Sequence, residues 1–325
     1  MSLPTANHSL RPAVLAAVFT IVFATSFVTL RAQSHAPCSL ASVVNAVGGN
    51  AGICDAQAVR SLAAQGHAFE QNQMGLASIL KLGPEYPVEN ALTWFQKSAR
   101  QGYSPAQVNL GVMYANGWGV EKNYARALFY FQSAAQQGSA WGNFNLGILY
   151  LNGQGVRQDY ALARAYFQTA ADKGNTYAQA DLGYLFDRGL GGAQDLTRAL
   201  NLYRQAAEAG NPLAQHNLGD LCLRGEGLPQ DDAMALLWFQ KAAAQGQTGA
   251  EIKLAYMLAQ GRGTRKNPEE AYRWLSAAAK AGDDRGRELL QSLRSRLSRE
   301  QLQRATRQLE SKESSNSEMA NAFTP

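Results

Sequence analysis

Charge is scarce in this 325-residue sequence: 17% of its residues are Asp, Glu, Lys or Arg, against 46% in the hydrophobic set. An unfolded chain has the reverse balance, so most of this one folds. Neither sign is concentrated. Thirty basic and 25 acidic residues leave a net charge of +5, and two of the arginines, Arg11 and Arg31, sit at the N-terminal edge. A nucleic-acid binder gathers more positive charge than that on one face or arm. Histidine and cysteine are rarer still. His8, His35, His67 and His216, with Cys38, Cys54 and Cys222, are too scattered for a metal cluster. There is no serine in a nucleophile-elbow setting and no phosphate loop, and each Gly-x-Gly follows a helical pattern instead of a strand. Acid pairs such as Asp231-Asp232 and Glu269-Glu270 fall at helix starts, where capping and the helix dipole account for them. The expectation is a protein with no catalytic, cofactor or metal site.

Long apolar runs are also missing, with one exception. Pro12–Leu30 carries no charge over nineteen residues, just long enough to cross a bilayer. Thr20, Thr25, Ser26 and Thr29 thin its second half and leave an apolar core at Ala13–Phe23, the length of a signal-peptide core. Ala24-Thr25-Ser26 and Ala32 offer cleavage positions. Residues 1–33 therefore read as a signal peptide or a retained anchor, and the body as exported: periplasmic, or tethered to the inner membrane of a bacterium. Membrane contact would run only through residues 12–30, if they are kept. In an oxidising compartment Cys38 and Cys54 could close a loop of about 15 residues, worth about 3 kcal/mol; the alternative is two free thiols. Cys222 has no partner left and reads as a buried structural thiol.

What the sequence has in abundance is a repeat. Glycines stand at Gly66, Gly102, Gly138, Gly174, Gly210, Gly246 and Gly282, 36 residues apart each time, with no insertion. Eight residues on come Met74, Leu110, Leu146, Leu182, Leu218, Leu254 and Leu290; nine on, Gly75, Gly111, Gly147, Gly183 and Gly219, then Ala255. Ala91, Ala127, Ala163, Ala199, Ala235 and Ala271 follow at twenty-five, and aromatic pairs such as Trp94-Phe95, Tyr130-Phe131 and Trp238-Phe239 at twenty-eight and twenty-nine. Each period reads as two helices. The first carries an apolar stripe at helical spacing, as in Ala106, Leu110, Met113 and Tyr114, and stops at a glycine turn such as Asn116-Gly117-Trp118-Gly119. The second opens on capping residues, best seen in Asn267-Pro268-Glu269-Glu270. Glycine at nine lets the two helices approach closely, and the aromatic pair fills the space between repeats. One helix pair cannot bury its own stripe, whereas stacked pairs can. The fold class expected is all-α: a right-handed α/α solenoid of six 36-residue repeats over 66–281, capped by 34–65 and by 282–311, with a disordered tail at 312–325. In the C-terminal cap, Asp283–Arg296 reads as one helix, and Ser298-Arg299-Glu300-Gln301 as the capping-box start of another over Arg299–Leu309.

The run Ala106-Gln107-Val108-Asn109-Leu110-Gly111-Val112-Met113-Tyr114-Ala115-Asn116-Gly117-Trp118-Gly119-Val120 resembles the first helix and turn of the Sel-one-like repeat family. Asn123-Tyr124-Ala125-Arg126-Ala127 and Tyr130–Gly138 resemble its second helix. The likeness weakens where Leu190-Gly191-Gly192 replaces the usual turn, and is poorest at Gly83-Pro84-Glu85-Tyr86-Pro87. It implies a protein that holds protein partners in a groove, many bacterial members being exported. The function expected is an envelope scaffold or adaptor; a cell-wall glycan-binding or cell-wall-modifying protein is the alternative. Where a partner would sit is suggested by a second apolar face on the first helices, carrying Phe144, Ile148, Tyr184, His216, Ile252 and Tyr256. A helix apolar on two faces is either buried on both or presents one to a partner. These six residues line a groove or pack on the next repeat.

Overall fold

The computed structural model describes residues 56–80 and 90–322, with side chains through Glu310. Pro12–Leu30, Cys38, Cys54 and most of the N-terminal cap lie outside the described residues, as does the Gly83–Pro87 turn. The described chain forms fifteen helices in two compact units that divide after Gln158.

The first unit holds α1 (Ala56–Gln65), α2 (Ala68–Leu80), α3 (Asn90–Arg100), α4 (Ser104–Asn116), α5 (Tyr124–Gln136) and α6 (Ala140–Asn152). The second holds α7 (Tyr160–Ala171), α8 (Thr176–Arg188), α9 (Leu196–Glu208), α10 (Pro212–Arg224), α11 (Asp232–Ala244), α12 (Thr248–Gln260), α13 (Pro268–Lys280), α14 (Asp284–Arg294) and α15 (Arg299–Ala322). Within each unit each helix through α13 packs on the next in chain order, α15 packs on α13, and α8 also touches α10 directly. This is the α/α solenoid arrangement, one helix pair per 36-residue period.

The constancy of the period has a hydrogen-bonding cause. A left-handed glycine ends each first helix of a full turn (Gly117, Gly153, Gly189, Gly225 and Gly261, φ from 65 to 75°), which only a residue without a Cβ adopts freely. The capping residue of the second helix then reaches back. Asn123 N–H donates to Tyr114 O at 2.8 Å, Asp195 to Phe186 at 2.9 Å, Asp231 to Cys222 at 2.9 Å and Asn267 to Leu258 at 2.8 Å. With both ends of the loop tied, one residue more or fewer would break a buried bond. The Asn267 cap accepts from Glu270 N–H at 3.1 Å, and the Ser298–Gln301 box forms with bonds of 3.0 and 3.2 Å.

Burial follows the columns. Ala91, Ala127, Ala163, Ala199, Ala235 and Ala271 are all 0% exposed. The aromatic pair divides: its second member is fully buried (Phe95, Phe131, Phe167, Tyr203, Phe239), and its first is only half-buried. Those outer aromatics work at the surface. Tyr130 stacks on Tyr114 at 5.8 Å, and Lys97 and Lys241 lie over the Trp94 and Trp238 rings at 4.6 and 4.2 Å. At the N-terminal end, Val59 and Ala63 of α1 bury against Met74 and Ala77. At the other end α15 docks on α13, through Arg304 on Glu269 at 2.8 Å. The helix runs on to Ala322, where a disordered tail was expected from residue 312. The reason is local: no proline or glycine stands between Arg299 and Ala322 to stop it.

The divergent Leu190-Gly191-Gly192 turn has a steric partner. Three other periods carry an apolar residue where Gly192 stands (Val120, Val156, Leu228) and a leucine one repeat earlier where Arg164 stands (Leu92, Leu128, Leu200); a fourth has Thr264 with Leu236. Here the larger residue has moved across. The Arg164 guanidinium lies 3.7 Å over the Phe186 ring and donates to Ala193 O at 3.2 Å. A Cβ on Gly192 would collide with its Nη1. Gly192→Val is therefore expected to lower the melting temperature, and adding Arg164→Leu to recover the steric part of the loss but not the part due to the backbone, which at φ 158° strains any side chain. A double-mutant cycle should give a coupling of about 1 kcal/mol; additive effects would mean the two sites are independent.

Candidate partner-binding site

The six residues expected on a groove separate by burial. Phe144 (1% exposed), Ile148 (5%), His216 (5%) and Ile252 (9%) are inside, and only Tyr184 and Tyr256 keep exposed surface. The groove reading is corrected for those four, which are buried; the two in the second unit, His216 and Ile252, are covered by neighbouring repeats. His216 packs on the Phe239 ring at 5.6 Å and faces the backbone of Gly249 on α12, while Ile252 joins the core around Leu236 and Leu254. Cys222 lies in the same core, its thiol pushed up by burial, and is free.

Between the two tyrosines the second unit places charges that a search for apolar columns passes over. Helices α8, α10 and α12 stand side by side, and ion pairs run from each to the next. Asp187 on α8 meets Arg224 on α10 at 3.6 Å, and Asp220 on α10 meets Lys253 on α12 at 3.0 Å. Arg188 lies 3.8 Å from Asp187, His216 3.7 Å from Asp220, and Glu226 pairs with the outer side of Arg224. The acids sit deep, with Asp187 6% and Asp220 18% exposed, beneath cations that are 43% (Arg188), 32% (Arg224) and 27% (Lys253) exposed. Depth sets their proton affinities. Burial raises Asp187, and Arg224 and Arg188 only partly offset it. Burial would raise Asp220 too, but His216, Lys253 and Arg224 together hold it below its ordinary value.

Each outer helix pairs a tyrosine with a cation. Tyr184 and Arg188 lie one turn apart on α8, ring to guanidinium 5.8 Å, and Lys253 and Tyr256 are neighbours on α12. Beneath Tyr184, Asp181 is 6% exposed and burial pushes it up to about 7. The Tyr203 hydroxyl is buried without a hydrogen-bond partner among the described residues, and burial raises it well above its ordinary value. The signal that could have found this face was present: Asp220 interrupts a column otherwise made of Val112, Ile148, Tyr184 and Tyr256.

A second array also escaped the search for apolar columns. Gln71, Gln107 and Gln215, on the first helices, accept from Gln101, Gln137 and Gln245 at 2.8, 2.8 and 2.9 Å. Gln71 and Gln215 also donate to the carbonyls of Ala63 and Ala207, in the last turn of the preceding second helix, both at 3.1 Å. One amide thus ties three helices. In the first unit a cavity of about 340 Å³ is lined by Leu92, Gln96, Tyr114, Val120, Glu121, Asn123 and Arg126. No three His, Cys, Asp or Glu residues come together to hold a metal among the described residues, and no described helix is long and apolar enough to cross a membrane.

The Sel1 repeat family matches residues 87–103, 104–139, 142–175, 176–211, 212–247 and 248–283, more than half of the chain. Among solved structures, a Sel1 repeat protein from Oxalobacter formigenes is 32% identical, with a TM-score of 0.65, over 75% of this chain and 97% of that one. A protective antigen of uropathogenic Escherichia coli with an SLR fold is 31% identical over 76% of this chain and 61% of its own, at a TM-score of 0.41. A Sel1 repeat protein from Klebsiella pneumoniae is 26% identical over 61% and 97%, at 0.44. No curated protein matches the chain.

Proposed function

The chain belongs to the Sel1 repeat family, whose members are generally protein–protein interaction scaffolds, and on that premise we propose that it is a non-enzymatic scaffold of the cell envelope. Its partner is a protein held against α8, α10 and α12. One observation carries this reading: Tyr184 and Tyr256 keep exposed surface on either side of a chain of ion pairs, while the rest of that apolar face is buried. Half-exposed tyrosines beside fixed charges give large contact area with little side-chain entropy to lose, the composition of a binding hot spot. Envelope placement rests on the uncharged Pro12–Leu30 run. The periplasm and the inner-membrane surface are both compatible with it.

Photo-crosslinking tests the binding face. A benzophenone amino acid replacing Tyr184 or Tyr256 in living cells is expected to give a discrete protein adduct. The same group replacing Phe129, which is 63% exposed on α5, should not. No adduct, or the same adducts from all three positions, would move the site elsewhere. Fractionating the same cells checks the compartment, since the full-length protein should leave with the envelope and stay out of the cytosol.

A further inference from the structure

We infer that the segment bound on this face is acidic and extended, an inference that rests on the scaffold reading above. The argument is one of layers. Asp187 and Asp220 are the buried layer, 6% and 18% exposed, and each is already committed to cations of this chain. What solvent meets above them is Arg188, Arg224 and Lys253. Glu226, 42% exposed, takes one side of Arg224, so the two cations whose ion-pair acids are all buried beneath them are Arg188 and Lys253. They sit on the outer helices, each beside a tyrosine. The buried acids fix the cations in place, so little side-chain entropy is lost when a second carboxylate arrives.

The spacing restricts the ligand further. Packed helices stand about 8–10 Å apart, so α8 and α12, with α10 between them, are about 16–20 Å apart, and the seven-position offset of Arg188 from Lys253 along their helices makes the diagonal about 19–23 Å. An extended chain advances about 3.3 Å per residue, and about six residues cover that distance. Carboxylates at i and i+6 would meet Arg188 and Lys253, and the apolar side chains between them would lie against Tyr184 and Tyr256. A basic segment would meet the cations head on, and a neutral one would gain no charge pairing from them.

The experiment uses the full-length protein and three fluorescein-labelled peptides of about twelve residues (about 3.3 Å each when extended): repeats of Glu-Leu-Ser, Gln-Leu-Ser and Lys-Leu-Ser. In fluorescence anisotropy the Glu peptide is expected to bind at least about tenfold more tightly than the Gln peptide, with an affinity that falls as salt is added. Arg188→Gln and Lys253→Gln should each weaken it several-fold, Lys253→Arg should retain it, and Phe129→Ser should leave it unchanged. Circular dichroism melts confirm that each variant is folded. If the Gln or Lys peptide binds equally well, or the two charge variants bind normally, the acidic inference fails and the scaffold reading stands. If no peptide binds while the Tyr184 crosslinker still captures a protein, the acidic inference alone falls. If neither peptide nor protein is held, both fail together.

Discussion

Gly111→Ala is expected to destabilise the first unit by about 2–3 kcal/mol, although alanine is the better helix former by about 1 kcal/mol. A Cβ at Gly111 would overlap the Phe131 ring, lying 2.6 Å from Cδ1 and 2.9 Å from Cζ, and Phe131 is 1% exposed with no room to withdraw. Gly219→Ala in the second unit should cost less, since its contacts to Phe239 are 2.9 to 3.1 Å. The chain contains its own control. Where Ala255 takes the glycine position, Leu275 takes the aromatic one. The double variant Gly111→Ala with Phe131→Leu copies that pair, so it should lose clearly less stability than the two single effects added. Denaturant melts of the four proteins measure the coupling. A single Gly111→Ala variant as stable as the parent would mean that the close approach of α4 and α5 does not depend on glycine.

That pair shows how far the sequence could be read. Columns at eight, nine, twenty-five and twenty-nine each hold one size of residue because each meets the same neighbour in every repeat, so the helix pairs and their stacking are visible without coordinates. Partner recognition does not repeat in this way. The amphipathic wheel treats a first helix as having one covered face and one open one. In the stack it is covered by its own second helix, by the preceding one and by adjacent first helices, and so Phe144, Ile148, His216 and Ile252 are buried on what the wheel presents as a free side. Tyr184 and Tyr256 stayed at the surface. The residues that accompany them, Asp187, Asp220, Arg224 and Lys253, depart from their columns, and only contacts between repeats bring them together. Hypotheses about a site in such a fold are better drawn from the exceptions in each column than from its consensus. The exceptions are where the sequence is free to differ without unstacking the repeat.

Glu251→Gln is expected to stabilise the protein by about 1–3 kcal/mol at pH 8 and hardly at all near pH 5. Glu251 stands in the column of Gln71, Gln107 and Gln215, and is 6% exposed. Gln71 and Gln215 use an N–H to hold the carbonyl of the preceding helix, and all three glutamines use an oxygen to accept from a glutamine behind them. An ionised carboxylate has no N–H to give, and Ala281 stands where that second glutamine would be. The Glu251 Oε2 has no hydrogen-bond partner among the described residues, and burial pushes the group up to about 7 from its ordinary 4.5. The sign follows from linkage. A carboxyl whose proton is held more tightly in the folded state stabilises that state below about pH 4.5, and the contribution is lost as pH rises to about 7. Each tenfold difference in proton affinity is worth about 1.4 kcal/mol, which sets about 3 kcal/mol as the ceiling. Asp181, also pushed up to about 7 by burial, adds a loss over the same window that the Gln variant leaves in place. The parent should therefore melt lower at pH 8 than at pH 5, with Glu251→Gln removing part of that difference and adding Asp181→Asn removing more. A Glu251→Gln curve parallel to the parent's at every pH would show that Glu251 is ionised in the folded protein and that its charge is satisfied there.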